Sequence, residues 1–242
     1  MRLIIVKVVF ITSEAVSSGR AVVPVFEKKI FFGAAQAYLE EFALSRKKLL
    51  QVACAHASPD GQTSLCSPQS SSSRSLTFWT AGKKKEFDAE KFGAKVAAAF
   101  CCSGEGSLTL HMDSLSLSPE EVASVAVGAR LASYRFFKHR TQVPASKKIS
   151  LKTLRIVCDA APKARACYSK FYGPICDGQL HARDLVNEPA NVLFPKAYAT
   201  RIKALRKLGL EVEVLGEKEM KALKMKALLG VGKAPLGSRS WW

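Results

Sequence analysis

Histidine is the side chain whose ordinary pKa lies nearest to neutral pH, so the four histidines of this 242-residue chain are the first candidates for acid–base or metal chemistry. The chemistry needs a nucleophile or a second ligand within hydrogen-bonding reach of the imidazole. The histidines instead fall on four separate predicted elements, as His56, His111, His139 and His181. The spacing gives no nucleophile–base arrangement and favours neutral histidines on the surface or in packed positions.

One short spacing could begin a metal site, because Cys54 and His56 stand two residues apart. A structural zinc site needs a second pair of ligands at a similar spacing. No such pair follows in the sequence. We therefore predict no metal-ligating residues, no catalytic residues and no cofactor-binding residues in this chain.

Two further pairs have the right residue types but a simpler explanation. Asp184 and Glu188 are four residues apart, yet a helix is predicted to end between them, so helix capping and solvation account for both carboxylates. Gly82 and Lys83 follow a predicted strand and resemble a fragment of a phosphate-binding loop. Without the rest of a glycine-rich loop, this pair indicates a turn.

The formal net charge of +17 is the most unusual global property of the sequence. Such a surplus can attract nucleic acid or an anionic membrane surface. The basic residues gather in three segments, Lys83–Lys85, Lys138–Lys148 and Arg201–Lys226, without interleaved aromatic residues. Solvated helix faces explain this pattern, and weak, sequence-independent nucleic-acid binding is the alternative.

Cysteine usage and hydropathy favour a soluble protein of a reducing compartment. The seven cysteines form no Cys-x-x-Cys pair and are odd in number, which is typical of free thiols in the cytoplasm. No apolar run is long enough for a transmembrane helix, so we expect no membrane association.

The first half of the chain predicts strands separated by turns. Leu3–Ile11 and Ala21–Phe26 are apolar runs typical of buried strands. Ser58 to Ser75 is rich in serine and poor in residues that can bury apolar surface, so we expect a mobile loop. Leu76–Thr80 then predicts another buried strand.

Helix signals are strongest in the middle of the chain. Asp88 caps a predicted helix that extends to about Cys102, and Leu108–Met112 alternates as a strand. Ser118 precedes a proline and stands three residues before Glu121, which is the pattern of a capping box. The helix that it starts is predicted to reach about Phe137, and Leu151–Cys158 forms the next strand.

From Asp159 to Val186 the chain is predicted to be mostly helical, with a break or kink at Gly173–Pro174. Pro189 ends this helix near Asn187. Pro195 then begins a new helix, Gly209 ends it, and the apolar stretch Leu210–Leu215 predicts a strand.

The segment between these two helices carries a recognisable pattern. Residues 183–195 read R-D-L-V-N-E-P-A-N-V-L-F-P. They resemble the R-D-L-V-N-x-P-x-N stretch of the leucyl (cytosol) aminopeptidase family, which leads into the catalytic domain. The Tyr-Arg-Phe triplet at 134–136 and the segments 216–223 and 228–232 resemble the family in the same order.

This resemblance implies an α/β fold with a mixed-sheet N-terminal domain, a long linker helix and the incomplete beginning of a second α/β domain. The corresponding divisions are residues 1–160, 161–187 and 188–242. Alternation of strands and helices along the chain agrees with this fold class. The resemblance also implies a metal-dependent hydrolase that removes N-terminal amino acids from peptides by means of two divalent metals, manganese or zinc.

The metal-ligand motifs of the family, V-G-K-G-x-T-F-D-x-G-G and T-D-A-E-G-R, do not occur in this sequence. Val231-Gly232-Lys233 resembles the start of the first motif, but no aspartate follows it, so Lys233 is not expected to bind metal. We therefore expect no metal cofactor and no peptidase activity for this chain alone. Self-association is possible, and a non-enzymatic basic α/β module that binds nucleic acid or a partner protein is the alternative function.

Overall fold

The apolar segments of the first half of the chain pair into one sheet. Its strands within the described residues are β1 (Lys7–Ile11), β2 (Arg20–Val25), β3 (Gln62–Cys66), β4 (Ser75–Thr80), β5 (Ser107–His111) and β6 (Thr153–Val157). Their order across the sheet is β1-β6-β5-β2-β4-β3. The β3–β4 pairing is antiparallel and the other pairings are parallel. The mixed-sheet α/β class expected from the sequence is therefore confirmed.

This computed structural model describes residues 6–12, 20–26, 62–66 and 75–232, with only the backbone described at 62–66. The chain divides into two units between Ala182 and Arg183. The predicted three-part division at residues 160 and 187 stays a prediction. No helix in the described ranges is long and apolar enough to cross a membrane. The predictions for Phe31–Leu50 and for most of Ser58–Ser75 lie outside the described residues.

Strand β2 lies in the middle of the sheet, and this position explains why its residues are buried. Residues 21–23 of this strand are at most 1% exposed, because β5 and β4 flank it. Pro24 cannot donate a backbone hydrogen bond. It lies beyond Val22, the last β2 residue paired with β5, where β2 continues beside β4 only. The proline therefore interrupts no described pairing with β5.

Strand β3 corrects one expectation, because Gln62–Cys66 forms a strand inside the segment predicted to be a mobile loop. Its residues pair with β4 from Gln62 opposite Trp79 to Cys66 opposite Ser75. The composition of this segment gives little apolar burial, but the backbone groups of β4 offer a hydrogen-bonding edge that a polar segment can occupy.

Two helices follow the expected start signals. Helix α1 (Ala89–Phe100) begins after Asp88, whose Oδ1 accepts a hydrogen bond from the Lys91 amide at 3.0 Å. Helix α2 (Pro119–Ala132) begins with the predicted capping box. The Glu121 amide donates to the Ser118 hydroxyl at 3.2 Å, and the Ser118 amide donates to the Glu121 carboxylate at 2.8 Å.

Helix α2 ends at Ala132, five residues before the predicted end at Phe137. Side chains satisfy its last carbonyl groups. The Ser133 hydroxyl donates to the Arg130 carbonyl at 2.8 Å, and Arg135 Nη1 donates to the Ala132 carbonyl at 2.9 Å. The helix predicted from the spacing of apolar residues was too long, because this spacing contains no information about these side-chain hydrogen bonds.

Helices α1 and α2 approach each other closely at two glycines. A Cβ atom at Gly93 would lie 2.0 Å from the Val125 carbonyl oxygen, and one at Gly128 would lie 1.9 Å from the Glu90 carbonyl oxygen. Both helices bury apolar residues in one core with Val22, Leu110 and Ile156 of the sheet. Glycine inside a helix is normally unfavourable, and here the close packing offsets that cost.

The helical segment after β6 contains a change of helix type instead of a break. Helix α3 (Ala161–Cys167) continues through a π-helical turn (Tyr168–Tyr172) into helix α4 (Gly173–Asn187). The Gly173 amide donates to the Tyr168 carbonyl, five residues back. Pro174 has no amide hydrogen and disfavours α-helical hydrogen bonding at this point. The kink predicted at Gly173–Pro174 is therefore a π-turn, and α4 ends at Asn187 as expected.

After the end of α4, the described residues of the second unit form three short α-helices. They are α5 (Pro195–Lys203), α6 (Glu217–Ala222) and α7 (Lys226–Gly232). A 3-10 turn extends α5 to Leu208, and Gly209 ends it with φ +84°. The predicted strand at Leu210–Leu215 is wrong, because these residues form neither a strand nor a helix. Hydrophobic pattern alone does not create a strand when no neighbouring backbone pairs with it.

Candidate functional site at the carboxyl ends of β5 and β6

Strands β5 and β6 are parallel neighbours, so the residues that follow them meet at one edge of the sheet. His111 is the last residue of β5 and lies opposite Val157, the last residue of β6. The Met112 amide donates to the Val157 carbonyl and the Cys158 amide to the Ile11 carbonyl, each at 2.9 Å. In open α/β sheets, ligands usually bind outside the carboxyl ends of the strands. This edge is therefore the candidate site of the first unit.

A small cavity lies at this edge. Its volume is about 40 Å³, and it is lined by residues following β5 and β6 and by residues of α2 and α3: Met112, Asp113, Leu117, Pro119, Val122, Cys158, Asp159, Ala160 and Ala164. A cavity needs about 10–15 Å³ of such space to hold one water molecule. This cavity therefore has room for a water-sized molecule.

A buried histidine and a buried carboxylate lie close together beside this cavity. His111 Nδ1 is 3.6 Å from Asp113 Oδ1, and their side chains are 0% and 4% exposed. This distance is longer than an N–H···O hydrogen bond. An imidazole and a carboxylate at this separation stabilise each other when the imidazole is protonated. The sequence contained a signal for this pair, since the two residues stand two apart at the end of a predicted strand.

The thiol of Cys158 faces the same cavity. Burial is the main cause that raises the pKa of this thiol from 9.0 to about 11, and the nearby carboxylates of Asp159 and Asp113 contribute to the same increase. The thiolate is the reactive form of cysteine. Cys158 is therefore a neutral thiol at physiological pH and not an activated nucleophile, so this edge has a buried polar character without a nucleophile–base pair.

The other sequence candidates that the structure describes do not line this cavity. His139 and His181 are exposed, and His139 packs at 5.7 Å from the ring of Phe136. Gly82 has φ +75°, which agrees with a turn at Gly82–Lys83. Cys54, His56 and Lys233 lie outside the described residues.

Glu188 corrects the expectation of a solvated carboxylate in the second unit. Its side chain is only 2% exposed, and its Oε1 accepts a hydrogen bond from Arg201 Nη2 at 3.1 Å. Asp184 lies one turn earlier in α4, and its carbonyl accepts the Glu188 amide at 3.1 Å. The hydrogen bond at the end of α4 thus accounts for the position of the Glu188 backbone. The ion pair with Arg201 accounts for the burial of the Glu188 carboxylate.

Comparison with known proteins assigns this segment. The family model described as "Cytosol aminopeptidase family, catalytic domain" matches residues 180–240. A "Probable cytosol aminopeptidase" of Caulobacter vibrioides is 46% identical over 119 residues, which are 49% of this chain and 24% of the relative. One from a Bradyrhizobium species is 39% identical over 158 residues, 63% of this chain and 30% of the relative. The chain thus spans about a quarter to a third of these curated relatives.

Solved structures show the same fold. A tomato leucine aminopeptidase mutant superposes with a TM-score of 0.70 at 19% identity, covering 90% of this chain and 46% of that one. The bottromycin maturation enzyme BotP, solved in complex with Mn, superposes with a TM-score of 0.64 at 22% identity, covering 91% of this chain and 43% of the enzyme.

A two-metal hydrolytic centre needs several converging carboxylates. Within residues 6–12, 20–26 and 75–232, no group of three or more histidine, cysteine, aspartate or glutamate side chains is placed to hold a metal ion. The described residues therefore do not form such a centre. The family-model match, the curated relatives and the shared fold agree: residues 180–240 match the catalytic-domain model of the cytosol aminopeptidase family, and the chain is similar to cytosol aminopeptidases over part of their length.

Proposed function

We propose that this chain supplies the N-terminal α/β unit and the first segment of the catalytic domain to a cytoplasmic, metal-dependent aminopeptidase that acts on peptides. The match of a catalytic-domain model to residues 180–240 carries the proposal. The curated relatives are roughly three to four times as long as the segments that match them. Catalytic-domain residues beyond those described here provide the carboxylates for two divalent metals, manganese or zinc, and this chain alone does not hydrolyse peptides.

The described residues have a positioning role in this proposal. The connection from α4 to α5 is held by local bonds, since the Pro189 carbonyl accepts the amides of Val192 and Leu193, each at 2.9 Å. The buried Glu188–Arg201 ion pair joins the end of α4 to α5. These contacts fix the path by which the chain enters the catalytic domain, which supports a structural contribution of this segment to peptide hydrolysis.

The proposal is tested by comparing this chain with a chimera. In the chimera, residue 232 is followed by the part of the Caulobacter vibrioides relative that lies beyond the matched segment. Leucine anilide hydrolysis is measured with manganese or zinc present. We expect no turnover by this chain alone, and turnover by the chimera that a chelator abolishes.

Two variants of the chimera separate the positioning role from general damage. Arg201→Ala removes the buried ion pair and is expected to lower turnover, whereas Lys221→Ala breaks an exposed pair with Glu217 and is expected to leave it unchanged. Chelator-sensitive turnover by the purified chain alone would show that it is itself an enzyme. A folded chimera without activity would refute the proposed contribution to the catalytic domain.

A further inference from the structure

Two consecutive cysteines at the end of α1 bring their sulfur atoms together away from the candidate site. Cys101 Sγ lies 3.5 Å from Cys102 Sγ. Cys101 is 1% exposed and Cys102 is half-buried, so the pair is reached from the side of Cys102. Both are free thiols. Two thiols at this separation can either form a disulfide or bind one atom between them.

The backbone around Cys101 opposes a disulfide. A trans peptide holds consecutive Cα atoms about 3.8 Å apart, which is shorter than the 4.4 Å lower limit usual for disulfides. The Cys101 carbonyl also accepts three hydrogen bonds, from the Ser150 amide at 2.9 Å and from the Leu151 amide and the Ser150 hydroxyl at 3.2 Å each. Closing an S–S bond of about 2.05 Å would rotate this peptide and break those bonds.

Chelation of one atom fits the observed separation without such a movement. Bonds from sulfur to a soft metal are about 2.3 Å long, and angles between 90° and tetrahedral then place the two sulfurs about 3.3–3.8 Å apart. The observed 3.5 Å lies within this interval. The pair therefore has the spacing of a two-sulfur ligand already in the folded chain.

A fixed cation supports the sulfur-bound state. Arg135 Nη2 donates to Cys101 Sγ at 3.6 Å. Arg135 Nη1 donates to the carbonyls of Ala132 and Tyr134 at 2.9 and 2.8 Å, so the guanidinium is held in place. A positive charge beside sulfur favours the thiolate that a soft centre binds. The site thus combines two converged sulfurs with a positioned counter-charge.

We propose that Cys101 and Cys102 form a vicinal dithiol site that chelates a single thiophilic centre of the trivalent arsenical class. With an organic arsenoxide, two arsenic–sulfur bonds form and the arsenic–oxygen bond is broken. The oxygen leaves as water with both thiol protons. The oxidation states of arsenic and sulfur do not change, so no oxidant or reductant takes part.

Phenylarsine oxide is the probe, added to the reduced full chain and followed by intact-protein mass spectrometry. We expect one phenylarsenic adduct at this site that survives excess monothiol and is removed by ethanedithiol. Cys102→Ser is expected to weaken retention by about a hundredfold, because the second sulfur no longer acts at high effective concentration. Burial and the neighbouring Cys102 sulfur raise the pKa of the Cys101 thiol, against the opposing effect of Arg135, so labelling is expected to accelerate as pH rises above neutral.

Cys167→Ser is the matched control, since Cys167 is a half-buried free thiol outside the pair, and this variant should retain the adduct. Because Cys101 is buried, the main comparison uses Cys102→Ser, with circular dichroism to confirm that it folds. Retention of the adduct by folded Cys102→Ser, or its loss from the unsubstituted chain in monothiol alone, would overturn the assignment.

Discussion

Glu188 shows at the scale of one residue how surroundings decide the role of a side chain. A carboxylate after a helix end is normally solvated, yet this one is 2% exposed and paired with Arg201, whose side chain is 30% exposed. Removing one member of a buried pair leaves the other charge desolvated, which costs far more than loss of a surface pair.

We therefore predict that Arg201→Ala lowers the local stability of the second unit by about 1–3 kcal/mol, less than a fully buried pair because Arg201 is partly exposed. Hydrogen exchange of the amides in residues 188–208 measures this effect. The control is Lys221→Ala, which removes an exposed ion pair with Glu217. It should change the free energy of opening obtained from hydrogen exchange by less than about 0.5 kcal/mol. Equal effects of the two substitutions would contradict the role assigned to burial.

Cys158 gives a prediction about pH. Its pKa is raised from 9.0 to about 11, so the folded chain keeps the thiol proton where the unfolded chain loses it. Its contribution to stability is therefore fully present below pH 9 and is lost as pH rises through about 11. The test measures the unfolding free energies of the unsubstituted chain and of Cys158→Ala at several pH values. Between pH 9 and about 11, the unsubstituted chain should lose stability relative to the variant. A constant difference would refute the assignment.

At the scale of elements, the contact between α1 and α2 depends on the absence of two side chains. The carbonyl oxygens of Val125 and Glu90 occupy the positions where Cβ atoms of Gly93 and Gly128 would lie. These neighbours are helix backbone and cannot turn aside as a flexible side chain can, so a methyl group must separate the helices.

Gly128→Ala is predicted to lower the free energy of unfolding by about 2–3 kcal/mol in urea denaturation, because overpacking outweighs the gain in helix propensity. Gly178→Ala is the matched control. Gly178 is exposed in helix α4 with open space around its Cβ position, so the same change should stabilise the chain by about 0.5–1 kcal/mol. A stabilising effect at Gly128 would show that the two helices separate without cost.

At the scale of the whole molecule, the charge of +17 remains unexplained by any single contact. In the first unit, Lys84 and Lys85 are exposed in a short 3-10 turn, and Lys147 and Lys148 are exposed in and beside another. Neither turn carries an aromatic platform for bases, which supports the interpretation of solvated surface charge.

We expect this chain to bind a random DNA oligonucleotide weakly and to lose the binding by about 0.15 M salt, because phosphate contacts release counterions. Fluorescence anisotropy across a salt series measures this dependence. Submicromolar binding that persists at about 0.15 M salt would instead favour the basic nucleic-acid-binding module.

Features that depend on a few neighbouring residues could be predicted from the sequence. The capping box at Ser118, the helix start at Pro195 and its end at Gly209 were all confirmed. Each follows from the hydrogen-bonding or backbone preferences of residues within one turn. The motif at residues 183–195 likewise pointed to the family, because a specific series of residues is a local property of the chain.

Features that depend on distant partners were decided only by the tertiary structure. Strand β3 exists because β4 offers it an edge, whereas Leu210–Leu215 has suitable residues and no strand pairing. Gly93 and Gly128 meet backbone from another helix, and Glu188 is buried with an arginine thirteen residues away. Periodicity reports which face of an element is apolar. Folding brings together segments that are distant in the chain, and these segments determine the hydrogen-bond partners, the close packing and the desolvation of each residue. The local sequence does not specify them.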